Sequence, residues 1–321
     1  MAATELMQNK LKRRAQLMAD VRHFFAERAV LEVDTPMLSS AAPTATYLDS
    51  FATHCDAGEK AHRRYLHTSP EFAMKRLLAA GSGPIYQICH VFRNGELGRL
   101  HSPEFTMLEW YRPGFTLLML MQELDQLLQK LTDFAPAVYF SYAQVFNDYL
   151  QIDCLQADET ELRMLALDKI PALPASWQTD RDGWLELLMT QCIEPQLAQL
   201  SAPVMIYDFP ASQAQLARCV EDAQGNKVAA RFELYAGGLE LANGYDELTD
   251  AIELHKRFVD DNRVRKSLGK AEMPIDQHLL MAQSQGLPQC SGVALGLDRL
   301  LMLLLDTQEI AAVQSIGFSD N

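Results

Sequence analysis

The sequence predicts an α+β fold, an antiparallel sheet with helices packed around it. Three observations carry this. Apolar alternation marks strands at 84–93 and 104–112, and "RFELYAGGLELANGYDEL" reads as a hairpin about Gly237 and Gly238. "GVALGLDRLLMLLLD" passes from a glycine-punctuated strand into a helix. Strands joined by hairpins and loops, with helices intervening, favour antiparallel pairing over repeated crossovers. At 321 residues and 48% hydrophobic, the chain can bury a sizeable core. The expectation is one domain over 1–321 with a helical insert at about 150–200.

The elements follow in order. Residues 4–28 form an amphipathic helix with Leu6, Leu17, Val21, Phe24 and Phe25 as its apolar set. "VLEVDTPML" is an extended segment ending at Pro36, and 40–64 is polar and irregular. "HTSPEFAMKRLLAAG" is a helix with Ser69 as its cap, Pro70 at its first position, Glu71 in its first turn and Gly81 past its end. A helix at 116–131 follows the second strand. The stretch 150–200 is helical with breaks at Pro171, Pro174 and Pro195. "VMIYDFP" is a strand before the hairpin, and a helix runs over 249–267.

Composition excludes several classes. A formal charge of −14 argues against a broad grip on nucleic acid, which needs basic surface to displace counterions. The six cysteines form no CxxC and no Cys/His cluster of zinc spacing, so reduced thiols in a cytoplasmic protein are expected. The start has no apolar leader core, and the longest apolar run, near Leu300–Leu305, is far too short to span a bilayer. There is no internal repeat.

Candidate chemistry concentrates in three places. Side chains alternate along a strand, so Phe105, Met107, Glu109 and Tyr111 share a face that suits a base-plus-cation ligand. Arg93 ends the preceding strand, where a guanidinium can fork onto a phosphate or carboxylate. In the hairpin, a two-residue turn pairs Ala236 with Leu239, Tyr235 with Glu240 and Glu233 with Ala242. Glu233 and Glu240 then become same-face neighbours, which a Mg²⁺ bridging to nucleotide phosphates would reconcile. In "GLDRL", Asp298 can cap the following helix, and Arg299 in its first turn is favourable only beside a bound anion. Gly292 and Gly296 permit close backbone approach. Each signal also has an ordinary reading: a half-buried strand, a solvated hairpin, a common strand-to-helix turn.

Together and in this order the segments resemble the three motifs of class II aminoacyl-tRNA synthetases. "VDTPML" with Pro36 is similar to motif 1, "VFRN…HSPEFTMLEWY" to motif 2 and "GVALGLDRL" to motif 3. "TSPEFAMKRLL", "PEFTMLEWY" and "ELANGYDEL" resemble lysine-site segments of lysyl-tRNA synthetases, and the likeness runs from about residue 5 to 305. With the core starting almost at Met1, no anticodon-binding domain is expected. The chain thus resembles the stand-alone lysyl-tRNA synthetase paralogues that modify elongation factor P.

That resemblance implies a class II catalytic core using ATP and Mg²⁺. It implies (R)-β-lysine as substrate, a lysine side chain of elongation factor P as acceptor, and a homodimer built through motif 1. Arg93 would hold the α-phosphate and the substrate carboxylate. Asn94, Gly95, His101 and Ser102 would line the nucleotide, Phe105 would stack on adenine, and Arg299 would cover its other face and the γ-phosphate. Glu233 and Glu240 would hold Mg²⁺, with backbone contacts from Leu241 and Gly296. Ser69, Pro70 and Glu71 would frame the substrate's backbone amine; Tyr111 and Glu247 would take its terminal ammonium and Asn243 its carboxylate. Two positions depart from the synthetase pattern: Gly95 stands where a glutamate is usual, with Glu96 one place late, and Ala294 replaces a glycine of the substrate pocket. Three alternatives stay open: a truncated lysyl-tRNA synthetase charging tRNA with α-lysine, an asparagine synthetase of the same fold, and a non-catalytic regulatory paralogue. No Ser/His/Asp or Cys/His arrangement is present, and acyl activation needs none. The base that deprotonates the acceptor amine is not identified.

Overall fold

The computed structural model describes residues 3–57 and 60–318. In chain order the elements are α1 (Ala3–Ala26), β1 (Leu31–Glu32), β2 (Leu38–Ser39), β3 (Ala52–Ala57), β4 (Lys60–Leu66), α2 (Glu71–Ala79), β5 (Ile85–Phe92) and β6 (Glu104–Pro113). They continue with α3 (Leu117–Leu131), β7 (Val138–Ser141), α4 (Tyr142–Leu150), α5 (Glu159–Lys169), α6 (Arg181–Leu188), α7 (Glu194–Leu197), β8 (Val204–Pro210), β9 (Cys219–Glu221), β10 (Lys227–Ala236) and β11 (Leu239–Asp246). The last are α8 (Ala251–Ser267), α9 (Gln277–Gly286), β12 (Cys290–Gly296) and α10 (Leu297–Leu304). The class is α+β, as expected, and the chain divides into two compact units.

The first unit comprises Met1–Thr116, Lys130–Thr132 and Glu247–Asn321. Its strands run β1-β5-β6-β12, with β5-β6 and β6-β12 antiparallel and the two-residue β1 parallel to β5. Tyr86 and Trp110 meet Phe25 of α1, stacked at 4.4 Å and edge-on at 5.3 Å. Leu17, Val21, Phe24 and Phe25 are all buried, so the apolar set read from the helix period is the packed face; the side chain of Leu6 lies outside the described residues. Helix α2 packs Met74 and Leu78 against Ile85, Tyr111, Leu287 and Cys290. It begins at Glu71, one residue later than expected. Pro70 precedes it, and Ser69 Oγ accepts the Glu71 N–H at 3.0 Å.

A small sheet, β2-β4-β3, belongs to the same unit and corrects the reading of 40–64 as irregular. Residues 52–56 of β3 are exposed without alternation, so no apolar period announces the strand. Helix α9 was also passed over, although Asp276 caps it by accepting the His278 and Leu279 N–H groups.

The second unit comprises Leu117–Gln129 and Asp133–Asp246. Its strands run β11-β10-β8-β7, with β9 on β10 and β7 parallel to β8. Its core joins Tyr142, Phe146, Leu162, Trp184, Leu185, Leu188, Ile206 and Phe209. The stretch 150–200 is helical, as expected, and packs into this core. Pro171 and Pro174 lie between α5 and α6, and Pro195 lies in the first turn of α7. Strand β7 and helix α4, absent from the expectation, precede it.

Candidate active site

In the first unit, β5, β6 and β12 place one face of side chains side by side. Gln87 lies opposite Glu109, Gly292 opposite Tyr111, Ala294 opposite Glu109, and Gly296 opposite Met107. Directly opposed residues of an antiparallel pair point to the same side. The shared face expected of Phe105, Met107, Glu109 and Tyr111 therefore extends across three strands. Ala294 and Phe105 pack with Cys89, Val91 and Met107.

At one end of this face is a buried acidic pocket. Glu109 accepts hydrogen bonds from Ser69 Oγ and from the Tyr111 hydroxyl, both at 2.6 Å. Burial and the neighbouring Glu71 push the Glu109 carboxyl up to about 7, against the two hydrogen bonds and Lys75. Burial and the same carboxylates drive the Tyr111 hydroxyl well above its ordinary range, so it stays a donor. Glu247 is 1% exposed, and burial raises its carboxyl also. Lys75 Nζ lies 2.6 Å from Glu71 Oε1 and 2.6 Å from Glu247 Oε2. Burial alone would discharge that amine; the carboxylates of Glu247 and Glu71 outweigh it and hold the amine charged.

Gly292 is required here. A Cβ on it would stand 2.3 Å from Tyr111 Cε1 and 2.6 Å from Glu247 Oε1. The ring and the carboxylate thus rest directly on the β12 backbone, the close approach that the sequence suggested for this glycine.

Further along lie the motif 2 residues. Arg93 follows β5, donates its backbone N–H to Pro103 O at 2.8 Å and places its guanidinium 5.1 Å from the Phe105 ring. The Asn94 N–H donates to Asp49 O at 2.8 Å, and Asp49 is fixed by the buried Arg265 at 2.7 Å. Gly95 has φ +89°, a conformation that a glutamate would adopt only under strain. Glu96 then lies 3.8 Å from Arg93 Nη1. Across the loop, Arg299 Nη2 meets His101 Nε2 at 2.8 Å. Burial and the Arg299 charge lower the His101 pKa, so the ring is neutral and Nε2 accepts.

Asp298 does not cap α10, whose cap residue is Gly296. Its carboxylate instead accepts the Thr106 N–H at 2.7 Å and pairs with Arg14, which also reaches Thr106 Oγ1. The clamp ties α1, β6 and α10 together and sets Phe105 and Arg299 in fixed relation.

Among the described residues several buried polar atoms of this unit have no hydrogen-bond partner: Thr68 Oγ1, Arg93 Nε and Ser102 Oγ. Among the described residues the Gln87 amide, 1% exposed, finds only the Cys89 thiol. Buried polar groups are normally satisfied, so such a cluster marks a candidate site for a polar ligand. Carboxylates at one end and guanidinium groups at the other suit a cationic amine and a phosphate respectively.

In the second unit the hairpin turns through Gly237 and Gly238, at φ +56° and +77°, with Ala236 opposite Leu239 and Tyr235 opposite Glu240. Beyond that the expected register fails. A bulge leaves Leu241 without an opposed residue, so Glu233 faces Asn243 rather than Ala242. Asn243, Glu240 and Glu233 now share a face. The charge of Glu233 is already met: Arg231 pairs with one carboxylate oxygen, and the Tyr235 hydroxyl donates to the other at 2.5 Å. Glu240 is exposed and adds its field to Arg231 and Tyr235. Two carboxylates against one guanidinium leave a net negative face, which fits a divalent cation. Among the described residues no group of three His, Cys, Asp or Glu has metal-holding geometry.

Sequence reasoning missed Lys75, Gln87, Arg231 and the clamp by Arg14. Lys75 was within reach, four residues after Glu71 on a helix. The others depend on strand register or on contacts distant in the chain.

The chain matches the family model described as tRNA synthetases class II (D, K and N) over residues 1–318. It is 50% identical over 305 residues to the elongation factor P–(R)-β-lysine ligase of Salmonella paratyphi B, covering 94% of this chain and 93% of that protein. The same figures hold for the ligase of that name from Salmonella schwarzengrund. The family match spans both the acidic pocket and the motif 2 and motif 3 residues, so the chain belongs to the class II tRNA synthetase (D, K and N) family.

Proposed function

We propose that the protein uses ATP to activate (R)-β-lysine as an acyl-adenylate and transfers it to a lysine side chain of elongation factor P. The observation that carries this is the pocket of the buried Glu109, Tyr111 and Glu247 with the partly buried Glu71, rich in acceptors for a cationic amine. The relatives named as ligases for this acceptor, at 50% identity, support the reading, as does the charge of −14, which disfavours tRNA. Cytoplasmic location is part of the proposal; among the described residues no helix is long and apolar enough to cross a membrane. So is a homodimer through the motif 1 segment.

The residues take these roles. Arg93 and Arg299 hold the phosphates as charge shifts to the leaving pyrophosphate, and Arg93 also orients the attacking carboxylate. Asn94, Gly95, His101 and Ser102 line the nucleotide and Phe105 stacks on its base, with Leu241 and Gly296 contributing backbone contacts. Ser69, Pro70 and Glu71 frame the substrate's inner amine, Tyr111 and Glu247 take the outer one, and Asn243 takes the carboxylate. Glu233 and Glu240 would hold Mg²⁺, which when bound supplies charge neutralisation on the phosphates. The acceptor amine then attacks the adenylate carbonyl and AMP leaves.

Incubating the protein with ATP, labelled lysine isomers, purified elongation factor P and bulk tRNA tests the proposal. Label in the factor is expected. Label in acid-precipitated tRNA with none in the factor would reverse the choice of acceptor.

A further inference from the structure

One cation is already inside the amine pocket. Lys75 is 3% exposed, and its ammonium touches Glu71 and Glu247 at 2.6 Å each. Glu109 stands on the neighbouring strand, joined to Ser69 and Tyr111. With all groups ionised, three carboxylates and one ammonium leave a charge of −2. No other cation is among the main influences on Glu109, Glu247 or Tyr111. Gln87, opposite Glu109 on β5, is neutral, and β12 contributes Gly292 and Ala294. Glu247 Oε2 lies 2.6 Å from the Lys75 ammonium, and the same ammonium is shared with Glu71 Oε1 at 2.6 Å. An ion pair serving stability alone would match one charge with one; here a single ammonium is divided between two carboxylates with a third beside them, so the group keeps acceptor capacity for further cations.

We propose that Lys75 is a specificity-determining positioning residue, a resident ammonium that orients Glu71 and Glu247 and sets the pocket's charge to match a substrate bearing two ammonium groups. The proposal rests on the function proposed above and deepens it. Without Lys75 the three carboxylates would relieve their repulsion by binding protons, and a substrate amine would be drawn into the place of the lysine, away from the reacting carboxylate. With it, both substrate amines meet acceptors and a single-amine acid leaves one carboxylate unmatched.

The test compares wild type with Lys75→Met, similar in length but uncharged, by pyrophosphate exchange over a pH series. For (R)-β-lysine, KM should rise about tenfold or more, the scale of one charged hydrogen bond. KM for ATP should stay unchanged. The pH below which KM climbs should move upward, because carboxylates deprived of the cation hold protons more tightly. Preference over 6-aminohexanoic acid should shrink. Lys75→Met/Glu247→Gln returns the group to −2 and should be no worse than Glu247→Gln alone. An unchanged KM and pH limb, additive losses in the double variant, or equal damage to ATP use would overturn the proposal. So would failure of both Lys75→Met and Lys75→Gln to fold, which would make the ion pair purely structural. If wild type activates no diamino acid, the proposed function falls, and thermal stabilisation by 1,5-diaminopentane then decides separately. Weaker stabilisation in Lys75→Met upholds the role of Lys75, and equal stabilisation overturns it.

Discussion

Tyr111 donates its hydroxyl hydrogen to Glu109, two residues back on the same strand, at 2.6 Å. The carboxylate is thereby aimed along the face that also carries Ala294 and Gly292. Its pKa is raised from 4.5 to about 7, chiefly by burial.

The first prediction follows from that shift. A raised carboxyl pKa means that the folded state holds the proton more tightly than the unfolded one. Stability from this group is therefore full below about pH 4.5 and is lost as pH rises through about 7. Substrate-free wild type should gain up to about 3 kcal/mol relative to Glu109→Gln on acidification across that window, at about 1.4 kcal/mol per pKa unit. Binding a cationic substrate needs the ionised form, so its KM should rise as pH falls below about 7, and Glu109→Gln should flatten this limb. Urea unfolding and exchange kinetics over pH 5–9 measure both; parallel curves for the two proteins would refute the assignment.

Glu247→Gln should raise KM for the cationic substrate about a hundredfold or more, since losing one partner of a buried ion pair costs about 3–5 kcal/mol. ATP affinity should change little. Equal damage to both substrates would mark Glu247 as structural.

Arg299→Ala should slow pyrophosphate exchange by about 2–4 kcal/mol in the barrier, on the scale of one transition-state donor. His101 loses its guanidinium neighbour at 2.8 Å in this variant, so its pKa should rise; NMR titration of the ring reads that independently. Unchanged exchange kinetics would remove Arg299 from the chemistry.

Gly292→Ala puts a methyl group 2.3 Å from the Tyr111 ring, and the ring must move. Overpacking of this kind costs about 1–3 kcal/mol of stability. The displaced hydroxyl also leaves Glu109, so KM for the amino acid should rise more than KM for ATP. Denaturant midpoints and exchange kinetics on one preparation test both parts.

Ala294→Gly removes a methyl group beside the position of Glu109. The methyl should crowd an amine on the carbon next to the carboxylate and tolerate one a carbon further out. Use of α-lysine should therefore improve by about 10–200-fold, the worth of a methylene-sized mismatch. An equal shift in kcat/KM for both isomers would show that Ala294 only packs the strand.

What the sequence by itself determined is whatever local periodicity encodes. The strands at 85–92 and 104–113, the two-glycine hairpin, helix α2 and the strand-to-helix passage at 290–304 came from alternation, turn chemistry and helix period. The motif order pointed to a class II core, and the family match bears this out. Strand β3 was illegible because its residues 52–56 are all exposed, and a strand wetted on both faces carries no apolar period. Tertiary structure alone decided three further things. Residues 240 and 243 of a regular strand point to opposite faces; only the bulge at Leu241 turns Asn243 to the side of Glu233 and Glu240. Asp298 looked like a cap, yet the backbone of Thr106 and the guanidinium of Arg14, 192 and 284 residues away along the chain, claim its carboxylate. Lys75 and Glu247 are likewise far apart in the chain, and each is tolerable in the interior only because folding places the other beside it. Contacts of this kind are set by which elements pack together, and no local pattern records them.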